Sequence, residues 1–142
     1  NCHYLAMHPG GQAAHSHQTL FSKDNIISEL DVFFRTCQQK LLDSGFSKER
    51  IWLDPGFGFK KTDSAQIKLL TLISRYRDYN LVAGISRKSL LGRLFQVESP
   101  VQRDPLSKSL ELRLVLDGVK LIRTHDVKSL ERLRKIVRQS HR

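Results

Sequence analysis

The 142-residue chain is short of sulfur and of acid, with two cysteines, one methionine, and 14 Asp and Glu against 24 Lys and Arg. Cys2 and Cys37 lie far apart with no CxxC pair. That spacing excludes a zinc ribbon and a disulfide scaffold, and it suits a reducing compartment in which both thiols are free. No apolar run approaches the roughly 18 residues of a membrane span, and no charged-then-apolar leader opens the chain. A soluble, cytoplasmic protein with no membrane partner is therefore expected. The shortage of acids leaves a net charge of +10, which directs attention to anionic partners such as nucleic acid or a phosphorylated substrate and says nothing about fold. The chain opens on Asn-Cys-His rather than Met, and its first apolar residues already read as a strand, so it is expected to begin inside a domain. It has no repeats or linkers, and its length is that of one domain.

What is present is a regular alternation. Residues 2–8 ("CHYLAMH") read as a strand, and the Gly/Ser/His-rich "PGGQAAHSHQ" after them as a loop. Ile26, Ile27, Leu30, Phe33, Phe34, Cys37 and Leu41 recur at helical spacing over residues 24–44, with Gly45 placed to end the helix. "RIWLDPG" is a strand stopped by Pro55-Gly56, and a helix is expected from Asp63 to Asp78. "LVAGISRKSLLG" reads as a strand, a turn at Gly84, and a helix from near Ser86 to Val97 with Leu90, Leu91, Leu94 and Phe95 on its apolar face. Asp104-Pro105 predicts a helix start, with Asp104 as cap and Gly118 behind the last turn. "VKLIR" is a strand, and Asp126 caps a final helix whose stripe is Leu130, Leu133, Ile136 and Val137. Strand and helix alternate four times, with one extra helix before the fourth strand. The pattern predicts a parallel sheet with helices outside it, doubly wound or a barrel.

In both architectures the ligand site lies at the carboxyl ends of the strands. Each predicted strand end carries polar or ionisable residues: Met7-His8, Asp54, Ser86-Arg87-Lys88, and Arg123-Thr124-His125-Asp126. A carboxylate can accept two hydrogen bonds from the N–C–N edge of a pterin or purine, while Arg and Lys hold phosphate or a carbonyl oxygen. The set suits a heterocycle that carries phosphate. Taken singly, Asp54 also reads as a turn residue, Arg87 and Lys88 as solvated cations, Asp126 as a cap and His125 as a structural histidine; only their joint occurrence points to a site. Arg87 and Lys88 in a first helical turn oppose the helix dipole by roughly 0.3–1 kcal/mol each, which calls for an anion nearby.

Other motifs fail. "GFGFKK" lacks the third glycine of a dinucleotide fingerprint and the GK[ST] of a P-loop. His3, His8, His15 and His17 have no recognisable ligand spacing, so a polar loop is preferred to a metal site. The basic, amphipathic "RLRKIVRQSHR" reads as an outer helix with a solvated face, because no aromatics interleave with the charge as single-strand nucleic-acid binding requires. No nucleic-acid partner is expected.

"IWLDPGFGF", "GISRKSLLG" and "LIRTHDV", in that order and spacing, resemble the C-terminal motifs of dihydropteroate synthase, the sulfonamide target of folate biosynthesis, and "YLAMH" is similar to the strand before them. The resemblance implies a TIM (β/α)8 barrel, of which residues 1–142 would be the C-terminal half, about strands 5 to 8 with their helices. It further implies condensation of 6-hydroxymethyl-7,8-dihydropterin pyrophosphate with p-aminobenzoate, sulfonamides as competitors, magnesium, and a homodimer formed through outer helices. By motif, Asp54 would accept hydrogen bonds from the pterin and Lys88 would reach its carbonyl and ring nitrogen. Arg123 would lie along the pterin face and, with His125, hold the pyrophosphate. Phe59, Ser86 and the backbone and stem of Arg87 and Lys88 would shape the p-aminobenzoate pocket, and Met7 would pack against the pterin. Two relatives in reading stay open: a pterin-dependent methyltransferase of the same barrel class, and a non-catalytic basic module.

The chain departs from that pattern in places. Lys60-Lys61 replaces Gly-Lys after "GFGF", which reduces backbone freedom at position 60. In the helix before the last strand, a Ser-Gly-Ser-Leu pattern reads Ser107-Lys-Ser-Leu110, two positions out of register, and Glu111 and Arg113 stand where small residues are usual. A whole barrel takes about 250 residues. The segment that would supply the magnesium-binding asparagine is not in this sequence, so the metal ligand is expected outside it. The chain is accordingly expected to be the C-terminal part of a longer protein, in which fusion to another folate enzyme upstream is one arrangement; the residues leave open whether this part is active alone.

Overall fold

The computed structural model describes residues 2–8 and 24–140. The elements follow as β1 (Tyr4–Met7), α1 (Ile26–Asp43), β2 (Ile51–Asp54), α2 (Asp63–Leu72), β3 (Val82–Ala83), α3 (Ser89–Phe95), α4 (Asp104–Leu116), β4 (Leu121–Ile122) and α5 (Val127–Ser140). The loop read over residues 9–18, with His15 and His17, lies outside the described residues.

The strands are parallel throughout. β1 pairs with β2 from Tyr4↔Ile51 to Met7↔Asp54, and β3 pairs with β4 at Val82↔Leu121 and Ala83↔Ile122. A parallel bridge between Leu53 and Leu81, with Leu53 N–H donating to Asn80 O at 2.9 Å, joins the two pairs. All four carboxyl ends therefore emerge on one side. Strand alternation sets the layers. Leu53, Leu81 and Ala83 are fully buried and face a core built from Ile26, Leu30 and Phe34 of α1, Leu69 of α2 and Leu114 of α4. Each such large side chain contributes about 1.5–3 kcal/mol of burial. Leu5, Trp52, Val82, Leu121 and Arg123 line a cleft on the opposite face.

α1 forms where its apolar spacing predicts. Its last turn closes through Phe46 N–H to Leu41 O at 3.0 Å, and Gly45 adopts φ +87°, a conformation that favours glycine. α5 starts as expected, with Asp126 Oδ1 accepting from Ser129 N–H at 3.1 Å. Four readings need correction. α2 ends at Leu72 and the chain continues as a 3₁₀ turn, Ile73–Tyr76, rather than as helix to Asp78. α3 starts at Ser89, not near Ser86, and while Leu90 and Leu91 are buried, Leu94 and Phe95 are 41% and 51% exposed. α4 is entered through a 3₁₀ turn, so Asp104 is its first helical residue and Arg103 the flanking one. Ile136 is 62% exposed and stands off the buried stripe of α5, which packs through Leu130. Periodicity marks which residues are apolar; the neighbouring elements decide which are covered. No helix among the described residues is long and apolar enough to cross a membrane, and Cys2 and Cys37 are both free.

Candidate active site at the strand ends

Asp54, the last residue of β2, is fully buried. Its Oδ1 accepts from Gly56 N–H at 2.7 Å, and its Oδ2 accepts from a terminal guanidinium nitrogen of Arg123, just past β4, at 2.8 Å. The Arg123 side chain is 49% exposed, so one end of the ion pair is dry and the other faces solvent. Gly84 makes the approach possible: a Cβ there would stand 3.1 Å from the Arg123 guanidinium.

The loop after β2 is fastened from within. Gly56 sits at φ +70°, and a Cβ on it would overlap the His8 carbonyl oxygen. Lys61, buried at 5% exposure, donates through Nζ to Gly56 O at 2.9 Å and Phe59 O at 3.2 Å. Burial lowers its pKa to about 8, with Asp54 opposing and Lys88 reinforcing the shift. Gln66 of α2 accepts from Gly58 N–H at 2.9 Å. His8, buried at the end of β1 with Phe33 against it edge-on, has its pKa lowered to about 4, first by burial and then by Lys61. Lys60 adopts φ +43°. This chain thus keeps, with a lysine, a left-handed backbone suited to glycine, at a cost of about 1 kcal/mol.

The segment after β3 is fastened from outside. Arg87 takes φ +58°. Its N–H donates to Ser107 Oγ at 3.0 Å, its carbonyl accepts from Arg103 at 3.0 Å, and its guanidinium forks onto Asp104 at 2.7 and 2.8 Å. Arg103 also donates to Val97 O at 2.9 Å and to Glu98 O. It passes where a Cβ on Gly92 would lie 2.6 Å from it. Asp104 in turn is held below the usual carboxylate pKa by its hydrogen bond to Arg87. The electrostatic oddity in the sequence is thereby resolved: Arg87 and Lys88 precede α3 rather than occupy its first turn, and a carboxylate from α4 answers Arg87. Ser107, whose register was in question, is the α4 serine that supports this turn.

Lys88 reaches across to the first loop, with its Nζ 4.5 Å from the centroid of the Phe59 ring. Burial, then Arg123, lowers its pKa, opposed by Asp54. Ser86, 7% exposed, stands at the β4 end, where its Oγ lies 2.9 Å from His125 Nδ1 and 3.2 Å from His125 N. Gly84, Ser86, Lys88, Arg123, Thr124 and His125 line a cleft of about 310 Å³. Met7 is the register partner of Asp54 on β1, and Phe59, 38% exposed, stands beside Lys88. All the residues singled out at the strand ends therefore gather on one side of the sheet. The exception in orientation is the Arg87 guanidinium, which is spent on Asp104 and leaves its backbone and stem to the site. Sequence reasoning missed Lys61, Gln66, Arg103, Ser107 and Lys108 as parts of the site's support, and it placed Thr124 at a strand end without giving it a role. Among the described residues no three of His, Cys, Asp and Glu gather closely enough to hold a metal ion.

The profile of the family described as "Pterin binding enzyme" matches residues 1–125. The chain belongs to the pterin binding enzyme family. Its fold is accordingly TIM-barrel-like, built here from two small parallel sheets. Among curated relatives, the dihydropteroate synthase of Escherichia coli (strain K12) is 35% identical over 118 residues, covering 80% of this chain and 41% of the relative. Among solved structures, a Xanthomonas albilineans dihydropteroate synthase with 4-aminobenzoic acid superposes with a TM-score of 0.84 at 29% identity, covering 96% of this chain and 48% of that one. A Yersinia pestis dihydropteroate synthase in a sulfonamide drug complex gives a TM-score of 0.84 at 31% identity, covering 96% and 50%. The chain thus spans between two fifths and a half of the length of these relatives.

Proposed function

We propose that this chain is the pterin-site half of a dihydropteroate synthase, supplying about strands 5 to 8 of a (β/α)8 barrel. The observation that carries the reading is the convergence of Asp54, Lys88, Arg123 and His125 at one end of four parallel strands, in a chain whose relatives bear that name. In the reaction, the amine of p-aminobenzoate forms a bond to the pterin methylene carbon. The C–O bond to pyrophosphate breaks, pyrophosphate leaves with the electron pair, and the amine proton passes to solvent.

Such a step depends on stabilising leaving-group charge more than on a strong base. A pterin edge with two N–H groups is a substitute for the Arg123 guanidinium at Asp54 Oδ2. Arg123, displaced from the carboxylate and half exposed, is then available to the pyrophosphate together with His125, whose Nδ1 is already oriented by Ser86. Lys88 addresses the pterin carbonyl. Phe59, Ser86, Met7 and the Arg87 stem enclose the p-aminobenzoate and pterin rings, and sulfonamides compete for the former. Magnesium belongs to the whole protein in this reading; the described residues offer it no cradle, and no step above runs through it. A cytoplasmic homodimer, joined through outer helices and fused to another folate-pathway enzyme, completes the proposal.

The test is calorimetric, in the full-length protein. Asp54→Ala and Lys88→Ala should each abolish most pterin binding, whereas near-normal affinity in both would sink the reading. Binding of methyltetrahydrofolate with indifference to p-aminobenzoate would favour the methyltransferase instead.

A further inference from the structure

The β4 end is tied to α4 by a group that the mechanism above does not use. Lys108 and Glu111, one turn apart on α4, are 9% and 0% exposed, and Lys108 Nζ donates to Glu111 Oε2 at 2.7 Å. The same ammonium donates to Thr124 Oγ1 at 2.6 Å. That hydroxyl oxygen also accepts from Asp126 N–H at 3.2 Å, and Asp126 caps α5. Glu111 Oε1 is buried without a hydrogen-bond partner among the described residues, so the charge of the carboxylate is answered through Oε2 by Lys108.

A buried ion pair is weak evidence for stability, because apolar residues of similar volume often serve as well or better. What an apolar pair cannot do is donate to Thr124. Thr124 stands between the two residues assigned to the leaving group: Arg123 points to Asp54 on one side, and His125 is held on Ser86 on the other. We infer that Lys108, Glu111 and Thr124 are positioning residues that fix the Arg123–His125 segment for the phosphate portion of the substrate. Glu111 aims the Lys108 ammonium, Lys108 anchors the Thr124 hydroxyl, and Thr124 sets the turn from which Arg123 and His125 project. The inference rests on the functional reading above, and the experiment separates the two.

In the full-length protein, inorganic pyrophosphate and 6-hydroxymethylpterin, which lacks phosphate, are titrated separately by calorimetry. Thr124→Val, which keeps the side chain's shape and removes its hydroxyl, should weaken pyrophosphate binding about tenfold or more, since a small misplacement of charged donors is costly. Pterin affinity should stay within about twofold and the melting temperature within about 2 °C. Thr124→Ser should restore pyrophosphate binding, and Glu111→Gln should weaken it in the same selective way. If Glu111→Gln fails to fold, the Val/Ser pair decides alone. Pyrophosphate binding unchanged in Thr124→Val overturns the inference, as does a parallel loss of both ligands with a lowered melting temperature, which is the signature of a scaffold role. If the unmodified protein binds neither probe, the functional reading falls and takes this inference with it.

Discussion

The loop after β2 and the turn after β3 face the same cleft but are built on opposite plans. Residues 54–61 largely secure themselves: Gly56 N–H on Asp54, Lys61 on the carbonyls of Gly56 and Phe59, with two hydrogen bonds to Gln66, which accepts from Gly58 N–H and donates to Lys61 O. Residues 86–88 are secured by others, namely Arg103, Asp104 and Ser107, which lie 16 to 20 positions away. A self-fastened loop fails through its own residues and takes local folding with it. A turn held from outside can lose its geometry while the scaffold survives. Substitutions in the first should therefore register mainly as stability, and those supporting the second mainly as binding.

The largest effect is expected at Gly56. Alanine there meets both a left-handed φ and the His8 carbonyl, and should cost at least about 3 kcal/mol in chemical denaturation of the full-length protein. A cost under about 1 kcal/mol would break the comparison. Next comes the acid response of His8, whose folded pKa of about 4 lies below its ordinary 6.5. The unfolded chain binds the proton first, so stability present above pH 6.5 is lost as pH falls towards 4. The loss is on the order of 3 kcal/mol, and His8→Gln should flatten that limb of the stability profile.

Lys61→Met leaves two carbonyls without their donor and should cost about 1–2 kcal/mol. The loss is limited because the ammonium is itself disfavoured by burial, its folded pKa of about 8 lying below the ordinary 10.5. By the same sign, the unsubstituted protein should gain stability as pH rises from about 8 to 10.5. A flat alkaline profile would show that Lys61 titrates normally. On the other side of the comparison, Ser107→Ala should cost about 1 kcal/mol or less of stability, yet weaken ligand binding at Lys88 measurably. Equal effects on folding and binding would erase the distinction. The smallest change is Lys60→Gly, which removes the left-handed strain and should stabilise by up to about 1 kcal/mol, net of the added freedom of the unfolded chain.

The carboxylate and turn of the self-fastened loop are legible in the sequence, whereas its Lys61 and Gln66 fasteners and the whole support of the turn after β3 are not. "DPGFGF" keeps its carboxylate, turn residues and aromatics within a few positions, so local chemistry displays its purpose. Asp126, capping the helix that starts beside it, is readable in the same way. "ISRK" shows only its cations. The partners of Arg87, on and just before α4, are distant in sequence, and without them the segment looks like a helix start, although the first turn of α3 begins only at Ser89. The apolar residues Leu94, Phe95 and Ile136 misled similarly, because hydrophobic spacing records a face and not what lies against it. Glu111, conspicuous as a departure from small residues, makes sense only once Lys108 and Thr124 are seen beside it.

Trp52 is the one tryptophan in these residues. It precedes Asp54 by two positions on the same strand face, lines the cleft that Arg123 enters, and donates its indole N–H to His3 Nδ1 at 3.0 Å. Its emission therefore originates beneath the carboxylate, from an indole already hydrogen-bonded to a side chain of the neighbouring strand segment. This part of the fold carries an optical gauge, placed where ligand arrival, strand-end rearrangement and covering of the inner face would each alter the colour or brightness of the Trp52 indole.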